Sequence, residues 1–286
     1  NTVVSRLNKD ERLTDVENKI EIVRERRISD NAYDTPQRYT EAGSFPGING
    51  DNLVFSQPVS VLPNPDGTIW VLAYGSNELV LMDVNGIVIN RTNGALNGFD
   101  RPLDMIRMSD GSILVSEFAG DRVSMFDKKG HFVKAFGSKG IGLGQMVGPQ
   151  FLAQDADGNI FVTDFGNARV NKFDRDGNAL SFFGNKSAEF SGLKAPTGIV
   201  CADDTLFVAD TITGAIYRFD TAGNYMGLLC RENTFVRPEA LKLWGNYILL
   251  CDKNHVYSVD TVTGAVAENL NTGNAPSHVT SAVPDV

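Results

Sequence analysis

The sequence predicts an all-β fold, a six-bladed β-propeller with a short N-terminal helical extension. The chain repeats itself about every 44 residues, and each repeat contains four short runs with the alternation of β-strands. Glycine is abundant and evenly spread, at 28 of 286 residues, which indicates many tight turns between short strands. Four antiparallel strands in a repeat of this length are typical of a propeller blade.

The repeats open at regularly spaced prolines. Successive members lie 38 to 47 residues apart, and they are Pro58, Pro102, Pro149, Pro196, Pro238 and Pro276. In the second repeat the predicted strands are Leu103–Met108, Ile113–Glu117, Arg122–Phe126 and Phe132–Ala135. The Asp110-Gly111 pair between the first two is a strong hairpin signal, because both residues accept positive φ at low cost. No helical periodicity intervenes, so the pattern excludes a helical array.

The repeats closely resemble NHL repeats. That pattern is a proline, an apolar strand, a D-G turn, a V-x-D strand end, an N/R-I strand and F-D-x-x-G. The third repeat carries nearly all of it, with Pro149, Asp157-Gly158, Val162-Thr163-Asp164, Asn167, Arg169-Val170, Phe173-Asp174 and Gly177. The resemblance covers residues 43–283 and implies a β-propeller, most often with six blades.

Closure of the ring is the irregular part of the prediction. Five complete repeats cover residues 55–270. We expect residues 275–280 to form the innermost strand of a sixth blade and residues 39–42 its outer strand, because strands from both termini would remove free sheet edges. The remaining strands are left open: residues 20–23 could supply one, the chain could continue past Val286, or the blade is incomplete.

The first 36 residues differ in composition from the repeats. The charged segment Asn8–Arg27 carries apolar residues at helical spacing, namely Leu13, Val16, Ile20 and Val23. This pattern predicts an amphipathic helix that begins near Asn8. We therefore divide the chain into a helical extension, residues 1–36, and a propeller, residues 37–286.

Charge and composition limit the partners and the compartment. The net charge is −9, and a nucleic-acid surface needs clustered cations, so we expect no nucleic-acid partner; RNA binding, known for some NHL proteins, conflicts with this charge.

No apolar run approaches the ~18 residues of a transmembrane helix. The chain begins with Asn1, so either a leader was removed or neighbouring domains of a longer protein are missing. Both interpretations are compatible with an exported protein, and we expect an extracytoplasmic location over a cytoplasmic one. Three cysteines cannot build a disulfide framework.

Histidines are too few for a propeller zinc site. The resemblance to NHL-type lyases would imply several histidines converging on the propeller axis. This chain has His131, His255 and His278, and we expect an axial position for His278 alone. A three-ligand zinc site is therefore not predicted.

Carboxylates on the inner strands raise a second enzymatic alternative. Related propeller hydrolases bind calcium with side chains just after the repeat prolines, where this chain offers Asp104, Gln150 and Glu239. Calcium requires six to eight oxygen ligands. The alternative function is thus a metal-dependent, lactonase-like or lyase-like enzyme with calcium at the axis; the preferred interpretation has no cofactor and no catalytic residue.

Acids that recur in every blade are interpreted as structural. Those at the ends of the second strands are Glu117, Asp164, Asp210 and Asp252, and those in the turns are Asp83, Asp127, Asp174, Asp220 and Asp260. A residue that each blade needs normally serves to build the blade. We expect Arg122 and Arg169, five residues after the first two acids, to pair with them.

Departures from the repeat indicate function. Three successive blades place an aromatic residue directly after the second strand, Tyr74, Phe118 and Phe165, and Arg101 and Arg237 flank the same face. Aromatic and arginine side chains are enriched at protein interfaces. The sequence thus predicts a non-catalytic scaffold or sensor domain that binds a protein or peptide through this face; the alternative is that the rings pack against neighbouring blades.

Overall fold

The computed structural model describes residues 48–49, 52–94 and 98–271. Its regular elements in these ranges are 24 strands. They are β1 (Ile48–Asn49), β2 (Asn52–Leu53), β3 (Pro58–Pro63), β4 (Ile69–Ala73), β5 (Glu78–Met82), β6 (Val88–Thr92), β7 (Pro102–Arg107), β8 (Ile113–Glu117), β9 (Arg122–Phe126), β10 (Phe132–Phe136), β11 (Ser138–Lys139), β12 (Gln145–Met146), β13 (Pro149–Gln154), β14 (Ile160–Asp164), β15 (Arg169–Phe173), β16 (Ala179–Phe183), β17 (Pro196–Ala202), β18 (Thr205–Asp210), β19 (Ala215–Asp220), β20 (Tyr225–Cys230), β21 (Pro238–Trp244), β22 (Tyr247–Asp252), β23 (His255–Asp260) and β24 (Val266–Asn271). Within these ranges no helix is long and apolar enough to cross a membrane.

Twenty of these strands form five four-stranded sheets, each antiparallel and in sequence order. We call them blade 1 (β3–β6), blade 2 (β7–β10), blade 3 (β13–β16), blade 4 (β17–β20) and blade 5 (β21–β24). The all-β propeller prediction is confirmed, and the four strands predicted for the second repeat match β7 to β10 within one residue. The predicted sixth blade and the predicted helix fall outside the described residues.

Strand order gives the molecule two unlike faces. In blade 2, Pro102 at the start of β7 pairs with Glu117 at the end of β8, so the segment entering each blade lies beside the loop between its second and third strands. These segments and loops form the connector face. The remaining loops, which join first to second and third to fourth strands, form the opposite, hairpin face.

Hairpin turns follow a different geometry from the predicted one. At Asp110-Gly111, the Met108 N–H donates to the Ser112 carbonyl (2.8 Å) and the Gly111 N–H donates to the Met108 carbonyl (2.9 Å). Only Gly111 has positive φ, at 88°. The turn is thus a three-residue loop with glycine in the left-handed position. The Asp110 carboxylate accepts the Ser112 N–H (2.9 Å), which explains the aspartate.

Apolar side chains fill the spaces between successive blades. Between blades 1 and 2, for example, Trp70 packs with Phe126 in a cluster that is almost fully buried. A Cβ atom on Gly130 would lie 2.5 Å from the Trp70 ring, so this glycine permits the close approach of the two blades. Equivalent clusters join blades 2 and 3, 3 and 4, and 4 and 5.

Blade 1 also buries the face that it turns away from blade 2. Val61, Val71, Val80 and Met82 form a buried cluster to which none of the other four blades contributes. The inner strands contact one another extensively in the order β3, β7, β13, β17, β21, and no comparable contact joins β21 to β3 among the described strands. Among the described blades, the ring is therefore continuous from blade 1 to blade 5, and the outer face of blade 1 is covered by none of the other four.

Candidate interaction face and central axis

The three predicted aromatic residues lie on the connector face, in the loops that follow β4, β8 and β14. Tyr74, Phe118 and Phe165 are each half-buried. The ring of Phe118 covers Gly148 at the entry to blade 3, because a Cβ atom on that glycine would lie 2.9 Å from the ring. Phe118 thus packs against the next blade while keeping part of its surface exposed.

The two predicted arginines lie on the same face and are exposed. The Arg101 backbone N–H donates to the Asn77 side-chain oxygen (3.0 Å), and its carbonyl accepts the Phe118 N–H (2.9 Å). The Arg237 Nε lies 2.8 Å from the Glu239 carboxylate. The structure therefore places Glu239, a predicted metal ligand, in an ion pair at the connector face.

The repeated acids at the ends of the second strands, which were predicted to be structural, accept hydrogen bonds from the backbone of the connectors. Glu117 accepts the Asp100 N–H (3.0 Å), and Asp164 accepts the Val147 N–H (2.8 Å). Asp210 and Asp252 do the same for the two following connectors, at Lys194, Ala195, Val236 and Arg237. All four acids are buried. Blade 1 has Ala73 at the equivalent position, paired with Pro58.

The arginine pairs predicted from sequence are present. Arg122 lies 2.8 Å from Glu117, and Arg169 lies 3.0 Å from Asp164. In the turns, the Asp127 carboxylate accepts the N–H groups of Lys129 (2.8 Å) and His131 (2.9 Å). These geometries confirm a structural role for the recurring acids.

The connector between blades 2 and 3 is held by a buried arginine. Residues 137–148 contain the parallel pair β11 and β12. The Arg169 guanidinium donates to the carbonyls of Ile141 (2.8 Å), Gly142 (3.0 Å) and Gln145 (2.7 Å). The Asn167 amide donates to the Gly140 carbonyl (2.9 Å). The backbone of this loop is therefore fixed by side-chain hydrogen bonds.

Sequence reasoning missed the apolar residues that this fixed backbone displays. Ile141 is 78% exposed and Leu143 is 57% exposed. Ile212 and Val236, on the same face of blade 4 and its connector to blade 5, are 69% and 68% exposed. The available signal was the position of Ile141 and Leu143 between glycines in the connector that enters the third repeat.

Charge separates the two faces. Cations on the connector face are Arg101, Lys139, Lys186, Lys194, Arg231, Arg237 and Lys253, and the acids outside the strands there are Asp100, Asp121, Glu189 and Glu232. The hairpin-face turns carry Asp66, Asp83, Asp110, Asp127, Asp155, Asp157, Asp174, Asp176, Asp203 and Asp204 against Lys128, Lys129 and Arg175. Within the described ranges, the acidic net charge of the chain is thus concentrated on the hairpin face.

At the central axis, the carboxylate of the predicted metal ligand Asp104 is paired with a lysine and accepts hydrogen bonds from two further protein groups. It is buried, with 1% of its surface exposed. Lys242 of blade 5 places its Nζ 2.9 Å from Oδ1, and the Ser60 hydroxyl donates to the same oxygen (3.2 Å). The Leu152 N–H donates to Oδ2 (3.2 Å). A lysine that crosses from blade 5 thus neutralises this carboxylate.

The three calcium candidates do not make a calcium site in this arrangement. Asp104 is paired with Lys242 and Glu239 with Arg237, while the Gln150 backbone carbonyl accepts the Ser116 hydroxyl. Among the described residues, no group of three or more His, Cys, Asp or Glu side chains could hold a metal ion. Calcium requires several free oxygen ligands, and this donor set does not fit it.

The remaining reactive side chains lie away from one another. His131 is exposed and 3.0 Å from Asp127, and His255 begins β23 and stacks on Tyr257; the third histidine, His278, is not among the described residues. Burial raises the pKa of the Cys230 thiol to about 12. A thiol with such a high pKa is a poor nucleophile.

Comparisons with known proteins identify the fold. No family model matches the chain, and no curated protein matches it. Among solved structures, virginiamycin B lyase from Staphylococcus aureus is 17% identical, with a TM-score of 0.61, covering 78% of this chain and 73% of the lyase. Nidogen in its complex with laminin is 15% identical (TM-score 0.58, 75% and 80% covered). A protein assigned as a gluconolactonase is 14% identical (TM-score 0.59, 78% and 80% covered). At these identities the likeness establishes a β-propeller fold.

Proposed function

We propose that this protein is a non-catalytic interaction module that binds a protein or peptide through its connector face. The observation that carries the proposal is the display of Ile141, Leu143, Ile212 and Val236 on hydrogen-bonded loops, among exposed cations. An exposed apolar side chain on a fixed backbone loses little conformational freedom when it binds. Such positions suit an interface better than single apolar residues on mobile loops.

The predicted contact residues would surround these apolar side chains. Tyr74, Phe118 and Phe165 keep part of their surface exposed on the same face, and Arg101 and Arg237 are exposed beside them. Aromatic and arginine side chains are enriched at interfaces. We propose that the aromatic residues do both tasks, packing against the next blade with one edge and contacting a partner with the other.

The structural neighbours include a protein-binding propeller and enzymes, so they support both classes of function. Nidogen was solved bound to laminin, which supports a propeller that binds a protein. The lyase and the gluconolactonase support the enzymatic alternative. We favour the first, because Lys242 occupies the Asp104 carboxylate on which an axial calcium site would depend.

We also propose the finer architecture that the repeats indicate. The chain would be an NHL-type propeller whose sixth blade includes strands from residues 39–42 and 275–280, against the buried outer face of blade 1. An extracytoplasmic sensor domain next to further domains is the setting that we favour. The amphipathic pattern in residues 8–27 would then join the propeller to its neighbour.

A crosslinking comparison tests the proposed face. Photo-crosslinking followed by mass spectrometry would be run on the unaltered chain, on the Ile141→Ser/Leu143→Ser variant, and on Tyr74→Ala/Phe118→Ala/Phe165→Ala. Val133→Ser, at an exposed position of the outer strand β10, is the matched control. We expect the same partners for the control and their loss from the two connector-face variants, while circular dichroism shows all variants folded. Retention of every partner by both variants would refute the proposal.

A further inference from the structure

Resting on the proposed function, we propose that the partner segment is an extended acidic peptide that carries apolar side chains. Two sites on the connector face combine the same chemistry, an exposed apolar pair next to exposed cations. The first is the loop site, formed by Lys139, Ile141 and Leu143. The second is the blade 4 site, formed by Lys194, Ile212, Val236 and Arg237.

Hydrogen bonds with two side chains hold the backbone of the loop site in place. Arg169 holds the carbonyl groups of Ile141 and Gly142 from below, and the Gln145 side chain accepts the Gly142 N–H (2.9 Å). Ile141 and Leu143 therefore project from a closed loop. Lys139 is exposed in the adjoining strand β11. A peptide carboxylate could therefore pair with Lys139 while a neighbouring apolar side chain contacts Ile141 and Leu143.

The blade 4 site is built on two of the recurring buried acids. Asp210 accepts the Ile212 N–H (3.1 Å), and Asp252 accepts the Val236 N–H (2.9 Å). The Asn233 N–H donates to the Thr213 carbonyl (2.8 Å), which joins the two segments that bear the apolar residues. The ammonium of Lys194 contacts only a carbonyl, that of Ser191 (3.0 Å), among the described groups. The site thus presents a fixed apolar pair with an available cation.

Charge decides which peptide would bind. Exposed cations outnumber exposed acids on the connector face, whereas the turns of the hairpin face are strongly acidic. An acidic segment is repelled by the hairpin face, and on the connector face it meets more exposed cations than exposed acids, so charge favours the connector face for such a partner. A nucleic acid would match the cations but would leave Ile141, Leu143, Ile212 and Val236 without apolar partners.

The test uses four synthetic peptides of equal length and fluorescence anisotropy on the full chain. The first alternates glutamate pairs with leucine. The second replaces glutamate by lysine, the third replaces glutamate by glutamine, and the fourth replaces leucine by serine. A single-stranded oligonucleotide is the fifth probe. We expect measurable binding at low ionic strength for the first peptide alone, weakened as added salt screens the charges.

Charge-reversal variants locate the binding. Lys139→Glu and Lys194→Glu should each weaken the acidic leucine peptide about fivefold, the loss expected when a peripheral charge pair is removed. Lys128→Glu, on the hairpin face, should leave its affinity unchanged. Ile141→Ser/Leu143→Ser should weaken it at least as much as either lysine variant.

Two kinds of failure are distinguishable. Equal or tighter binding of the lysine peptide, the glutamine peptide or the oligonucleotide, or no binding of the acidic leucine peptide, would overturn the acidic-peptide proposal while the connector face could still bind another partner. If Lys128→Glu alone changes the affinity, the proposed face itself is wrong. Salt-sensitive self-association that Lys139→Glu abolishes, without peptide binding, would identify a second copy as the partner and also overturn the proposal.

Discussion

At the residue scale, the central ion pair has the largest predicted energetic effect. Asp104 is buried and Lys242 is nearly so, with their charged atoms 2.9 Å apart. Removing one partner of such a pair leaves the other charge buried without compensation. The Ser60 hydroxyl and the Leu152 N–H would remain as hydrogen-bond donors, but neither supplies a positive charge.

We predict that Lys242→Met lowers the free energy of unfolding by about 3 kcal/mol. The double variant Lys242→Met/Asp104→Leu should recover most of the loss, because no charge then remains buried. Guanidinium unfolding of the four proteins measures the interaction as a double-mutant cycle. Additive losses in the double variant would show that the two side chains do not interact.

The turn carboxylate of Asp127 makes stability depend on pH. The N–H groups of His131 and Lys129 and the His131 ring donate hydrogen bonds to it, and they lower its pKa to about 2. Because the folded-state pKa lies below the unfolded value of about 3.9, this contribution is complete above that value. It is lost as the pH falls through the folded pKa.

Asp127→Asn should therefore flatten the decrease in stability between about pH 4 and pH 2. The unfolding midpoint in guanidinium, measured across that range, gives the slope for each protein. Glu189→Gln, an exposed acid on the opposite face, serves as the control. An unchanged slope in Asp127→Asn would mean that the turn hydrogen bonds do not form as described.

At the element scale, the strands were predictable from sequence and the displayed loops were not. Strand boundaries follow from alternation and from turn residues, so β7 to β10 were predicted within one residue. The shape of residues 137–148 depends on Arg169, more than twenty residues further along the chain. Lys242 pairs with the Asp104 carboxylate, which lies 138 residues away in the sequence. Local patterns carry no signal for such contacts, and this is why the exposed apolar residues and the axial ion pair escaped prediction.

The connector formed by residues 137–148 should resist cleavage by protease. Lys139 is an exposed trypsin site, but the loop around it is closed by hydrogen bonds from Arg169 and Asn167. We expect trypsin to cleave slowly after Lys139 in the unaltered chain and much faster in Arg169→Met. Cleavage after Lys128 and Lys129, in a turn remote from Arg169, provides the internal control. Equal rates in both proteins would contradict the anchoring role.

At the scale of the whole molecule, the closing element that we propose lies between blade 5 and blade 1. The outer face of blade 1 is buried, although none of the other four blades covers it. We proposed that strands from residues 39–42 and 275–280 supply that cover. Apolar surface that loses its cover costs about 25 cal/mol per Å².

Deletion of residues 272–286 should lower the melting temperature by more than about 4 °C, since each kilocalorie lost shifts Tm by about 2–4 °C in a large domain. The deletion should also increase binding of an apolar dye. Val71→Ser should lower the melting temperature of the full-length chain by a similar amount. A truncated protein with the original Tm would disprove closure by this segment.

The two unlike faces are the central property of the molecule. Repeated carboxylates make the hairpin face acidic, while the connector face bears most of the exposed lysine and arginine side chains together with the exposed Ile141, Leu143, Ile212 and Val236. A partner therefore meets two chemically different surfaces on one molecule, and we assign binding to the connector face.

Amide hydrogen exchange, with and without the acidic leucine peptide or a captured partner, tests this assignment most directly. Exchange should slow in residues 137–148 and 231–237, where the apolar residues are displayed. It should stay unchanged in the hairpin turns at residues 108–112, 127–131 and 174–178. Protection confined to those turns, with unaltered exchange in both connectors, would contradict the account.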